Sequence, residues 1–140
     1  MGGISFKRLL DIAEVNADCV STAAEHDLQS VLDRVRAGQL TRSELAALAR
    51  AVTVELGALE GPIAAATAAV ERAHDDVEQW VQAIAKAERH DRPDLAEQAR
   101  DRLAYFRAGV AAAEAVLFEH REAAAQLREV GRLVLERAGH

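Results

Sequence analysis

Glu71 and His74 stand three residues apart in a stretch of helical periodicity. That is the spacing with which one helix offers a carboxylate and an imidazole to a di-metal centre. Such a centre needs a second pair of the same kind and two further inward carboxylates. His26, His90 and His120 instead have Ala23, Ala87 and Leu117 three positions earlier, so the pair reads as solvated surface and no metal is expected. Ser, Cys and His side chains form no nucleophile-and-base arrangement, and the glycines mark breaks in helical patterning without forming a phosphate loop. The expectation is a protein that is not an enzyme and has no cofactor, and whose work is done by surfaces.

The elements that shape those surfaces are legible from apolar spacing. Leu45, Ala49, Val52, Leu56, Leu59, Ile63, Ala66, Val70, Ala73, Val77, Trp80, Ile84 and Ala87 alternate steps of four and three without a slip. A seam of this kind calls for a partner helix. The second seam, Ala96, Ala99, Leu103, Phe106, Val110, Ala113, Leu117, Ala124, Leu127 and Val134, supplies one, with His120 falling on a d position. Between them His90-Asp91-Arg92-Pro93-Asp94 reads as the reversal. Asp91 is the expected N-cap, Pro93 is tolerated in the first turn, and Asp94 complements the positive helix end. The predicted fold is therefore all-α: a long antiparallel coiled-coil hairpin over residues 25–140, with arms at about 43–90 and 93–137 and the turn at 90–94. Each arm of about 45 residues would span roughly 70 Å. Pairing across the turn sets Trp80 beside Leu103 and Phe106, which predicts a largely buried tryptophan.

Three features punctuate the first arm. Asp27 could cap a short helix from Leu28 to Ala37, carried by Leu28, Val31 and Val35. Thr41-Arg42-Ser43-Glu44 has capping-box spacing, which predicts a helix break at Gly38 to Thr41. The heptad phase, extended backwards, lands on Val35, Val31 and Leu28 and leaves one continuous helix as the alternative. At Gly61-Pro62 the phase survives on both sides, so a bend is expected there and not a reversal.

Composition narrows the function class. The chain has 140 residues, enough for one domain, half of them hydrophobic but only 4% aromatic, which suits an alanine-rich coiled coil better than a compact enzyme. Its net charge of −6 disfavours nonspecific nucleic-acid binding. The lone Cys19 requires no oxidising compartment. No run approaches a membrane span, and Asp11, Glu14 and Asp18 interrupt any signal-peptide pattern. A cytoplasmic protein, touching membranes only peripherally, is expected.

Residues 1–24 carry the clearest functional signal. Phe6, Leu9, Leu10, Ala13, Ala17, Val20 and Ala24 share one helical face, with Lys7, Arg8, Asp11, Glu14 and Asp18 opposite or beside it. An amphipathic helix near a terminus can lie in a membrane interface, with Phe6, Leu9, Leu10 and Ala13 as the apolar face and Lys7 and Arg8 as a basic cluster. The same face could instead pack on the hairpin.

Phe6-x-Arg8-Leu9-x-Asp11-Ile12-x-x-x-Asn16, then Trp80, then Arg92-x-Asp94-Leu95-Ala96 resemble the phage shock protein A family. That family includes the vesicle-inducing protein of plastids and is related to the ESCRT-III membrane-remodelling proteins. The resemblance covers nearly the whole chain and runs without gaps from Trp80 through the turn. It implies a first helix that binds anionic or stressed membranes at the inner face of the plasma membrane, a hairpin that serves assembly, and self-association. It also implies, as the alternative, a soluble regulatory module that binds a protein partner such as an AAA+ transcriptional activator or another phage-shock-type protein. The sequence departs from the family in three places. Glu25-His26-Asp27 lacks the family's proline, residues 37–44 look inserted, and the chain ends with the return arm, as a short form without the later helices.

Overall fold

The structure is a computed structural model that describes residues 28–139. The amphipathic segment 1–24 with its membrane-binding residues, Cys19 and the capping candidate Asp27 lie outside the described residues. The described residues form three helices: α1 (Leu28–Arg36), α2 (Arg42–Arg89) and α3 (Pro93–Ala138). The two long helices pack together.

The break between α1 and α2 is built from two local devices. Gly38 adopts the left-handed conformation at φ 69°, and Gln39 N–H reaches back to the Arg34 carbonyl at 3.2 Å while Gly38 N–H bonds Val35 at 3.1 Å. These two bonds satisfy carbonyls that the end of α1 would otherwise leave open, and they stop the helix. Thr41 N–H then donates to Glu44 Oε1 at 2.9 Å, and Glu44 N–H donates to Thr41 Oγ1 at 3.1 Å. This reciprocal box starts α2. Leu40 and Leu45, on either side of it, both enter the buried core and hold the staple positions that fix how the chain enters the helix.

The described residues divide into two compact units, with the chain passing from one to the other at Gly61–Pro62 in α2 and at Glu119–His120 in α3. In the first unit three helical segments share a core. Val31, Leu32 and Val35 of α1 meet Leu45, Leu48, Ala51 and Val52 of α2 and Leu127, Val130, Leu133 and Val134 of α3. Leu48, Leu127 and Val130 are wholly buried, each at 0% exposure. Because each long helix here has two partners, its apolar face is wider than a single seam. Gly131 permits close approach, since a Cβ there would sit 3.4 Å from Val52 Cγ1. At the end of α3, the Arg137 guanidinium donates to the Arg36 carbonyl.

In the second unit only α2 and α3 contribute, and the packing is correspondingly thin. Ala66, Ala87, Ala96, Ala99, Leu103 and Leu117 are buried, whereas Ile63, Val70, Val77, Trp80, Ile84, Phe106 and Val110 are half-buried. Between the two helices Glu88 pairs with Arg100, Trp80 stacks on Phe106 and His74 faces Glu114. Helix α2 stays helical through Gly57, Gly61 and Pro62, and no reversal occurs there. Pro62 supplies no N–H to the Ala58 carbonyl, a local cost that the flanking turns carry.

These glycines give a test with opposite signs. Gly38→Ala should lower stability by about 1 kcal/mol, because it forces a Cβ into the left-handed region. Gly57→Ala should raise it by about 0.5–1 kcal/mol, since it lies inside α2 with open space where the methyl would go, whereas Gly61→Ala should bring no such gain, because a Cβ on the helical residue before Pro62 meets the proline ring. Urea unfolding followed by circular dichroism reads all three.

Candidate functional site at the turn and the aromatic pair

The connection from α2 to α3 is closed by backbone geometry first. Asp91 sits at φ 55°, Arg92 N–H bonds the Ala87 carbonyl at 2.9 Å and Asp91 N–H bonds Glu88 at 3.1 Å. This is the same terminating device as at Gly38, with aspartate in the left-handed position that it tolerates better than most residues. Asp91 is therefore not the N-cap of α3. Arg92 holds that place, its carbonyl accepting the first helical bond from Ala96 at 3.0 Å, and Pro93 follows as the first helical residue, where a missing N–H costs nothing.

Arg92 and Asp94 form a two-pronged pair, Nε to Oδ1 at 3.2 Å and NH2 to Oδ2 at 3.1 Å. The hydrogen bond from Arg92 holds the Asp94 carboxyl below the usual aspartate range, with bonds from backbone N–H groups at the helix start lowering it further. The same bond, with the charge of Asp94, raises the Arg92 guanidinium. A carboxyl that is more acidic in the folded state contributes stability above its unfolded value near 3.8, and that contribution is lost as pH falls through the lower folded value. Both groups are solvated, so the effect is small. Asp94→Asn should accordingly lower the melting temperature slightly at pH 7, and the difference should vanish in strong acid.

Trp80 stacks on Phe106, with ring centroids 6.0 Å apart and planes 19° from parallel. Leu103 is buried nearby in sequence on α3. Trp80 is half-buried, because a two-helix pair leaves its flanks open where a third helix would close them. Trp80→Ala should therefore cost about half of the ~3–5 kcal/mol seen for fully buried aromatics. Intermediate tryptophan emission and a moderate loss in urea unfolding are the expected readings.

Tyr105 was not singled out by its spacing, since it lies off the seam. Its ring meets the edge of Phe106 at 5.3 Å and 85°, yet the residue is 71% exposed. Adjacency to a seam aromatic was the available signal. Trp80, Phe106 and Tyr105 thus run as a chain of ring contacts from the helix pair to the surface.

No protein-family model, curated protein or solved structure matches this chain. Glu71 and His74 are exposed, and His74 Nε2 lies 3.9 Å from Glu114 Oε2 on the other long helix. Among the described residues no three of His, Cys, Asp or Glu group as metal ligands. His120 is half-buried on the α3 seam, with its Nδ1 lacking a hydrogen-bond partner among the described residues. No described helix is long and apolar enough to cross a membrane.

Proposed function

We propose that this is a peripheral membrane-binding, self-associating coiled-coil protein of the envelope-stress or membrane-maintenance type, similar to phage shock protein A. In this reading α2 and α3 are the arms of an antiparallel hairpin, residues 1–24 attach it to anionic lipid, and the exposed arm faces mediate self-association. It is not an enzyme, and it works at the inner face of the plasma membrane.

One observation carries most of the reading. Of the residues that bear the resemblance, four from Trp80 onward have defined physical roles: Arg92 and Asp94 pair across the start of α3, Ala96 is 1% exposed under the turn, and Trp80 stacks on Phe106 of the other long helix. Flotation of the chain with anionic vesicles, beside a chain lacking residues 1–24, tests the membrane half. Size-exclusion chromatography over a concentration series tests self-association.

The exposed end of the aromatic chain favours a second reading. Tyrosine and tryptophan dominate the energetics of protein interfaces, and Tyr105 offers a ring already held by Phe106. A soluble module that presents this patch to a protein partner such as an AAA+ transcriptional activator is the alternative. In that case Tyr105→Ala would abolish partner binding while vesicles had no effect.

A further inference from the structure

Near the turn, one flank of the helix pair is hollow. Ala83, Ala87 and Ala99 are too small to fill the space between Trp80 and Leu95, and a groove of about 600 Å³ results. That is within the ~300–1,000 Å³ typical of small-molecule sites. Its apolar wall is available: Leu95 is 42% exposed and Trp80 half-buried.

The polar lining is one-sided. Lys86, Arg92 and Arg102 border the groove, and no carboxylate does. Arg92 is already committed to Asp94, but Lys86 and Arg102 make no ion pair among the described residues. The whole chain carries −6, so two uncommitted cations beside an apolar wall run against its general charge. Long cationic side chains lay their stems along apolar surface and keep their heads in water, which places positive charge at the groove's edge.

We propose that this groove binds a free single-chain amphiphilic anion, a molecule with one apolar tail and one carboxylate head. The tail lies along Trp80 and Leu95 over the alanine floor, and the head meets Lys86 and Arg102. Neither apolar surface nor charge suffices alone: a neutral tail leaves the cations unsatisfied, and a bare anion leaves the wall wet. The groove is lined by residues between Trp80 and Arg102, and the proposal stands whether or not the amphipathic segment 1–24 binds lipid.

Trp80 is the chain's single tryptophan, so its emission reports on the groove directly. The full chain should be titrated with decanoate below the concentration at which decanoate aggregates. Saturable change in Trp80 emission is expected, with little change from equal decanol or from inorganic phosphate. Replacing Lys86→Gln and Arg102→Gln together should raise the half-saturation concentration by roughly tenfold, the worth of two partly solvated charge contacts, with the melting curve unchanged. Decanol acting as well as decanoate, or the double variant binding like the parent, would overturn the proposal. So would an emission change with anionic vesicles free of decanoate that depends on Lys86 and Arg102, since the groove would then take bilayer lipid.

Discussion

Leu127→Ala should destabilise the protein by about 3–5 kcal/mol, the upper part of the range for deleting a buried leucine. Leu127 is wholly buried, and its neighbours in the core come from all three helices, among them Leu48, Val130 and Val31. A cavity there can collapse only by moving three elements at once, so relaxation recovers little. Small domains hold about 5–15 kcal/mol in total, which makes this a large fraction of the whole. Val110→Ala removes apolar atoms from a half-buried seam position in the second unit and should cost well under half as much. Equal midpoint shifts in urea for the two variants would contradict the contrast between a three-helix core and a two-helix seam.

That contrast also marks where sequence reading runs out. Steps of four and three found every seam position of α2 from Leu45 to Ala87, and none of them is exposed. The same steps passed over Leu48, Ala51, Val130 and Leu133, all buried. These four lie beside the seam, and they are buried because α1 packs against that end of the long helices. A heptad pattern records one partner; where a second partner settles is a tertiary fact that local spacing does not encode.

Local devices were easier to read. The Thr41 and Glu44 box forms as its spacing implied, and the break beside it excludes one continuous helix from Leu28 onward. The two long helices run over Arg42–Arg89 and Pro93–Ala138. Asp91 takes the left-handed position between the two long helices and not the cap of the second. A capping aspartate and a left-handed aspartate look alike in sequence, and the rigid φ of Pro93 as first helical residue makes Arg92 the cap. At the groove, Lys86 and Arg102 belong to different helices, and no one-dimensional pattern relates them.

The second large effect concerns residues outside the described structure. Phe6, Leu9 and Leu10 would supply most of the energy of membrane attachment, at roughly 1.5–3 kcal/mol for each side chain fully buried. Lys7 and Arg8 would add about 1 kcal/mol each near an anionic surface, weakened by salt. Asp11, Glu14 and Asp18 oppose them, so binding should favour anionic bilayers at low salt over neutral ones. Replacing Leu9→Asp and Leu10→Asp removes two apolar anchors and adds two charges repelled by the same surface. Binding should be lost, while the helicity contributed by α2 and α3 persists because both residues lie outside their seams.

Co-sedimentation of the intact chain and of this double variant with anionic liposomes at low salt is the most direct measurement. The account predicts the parent in the pellet, released by added salt, and the variant in the supernatant with its far-ultraviolet circular dichroism preserved. A parent chain that stays in the supernatant would contradict the membrane reading and leave the protein-partner reading in its place.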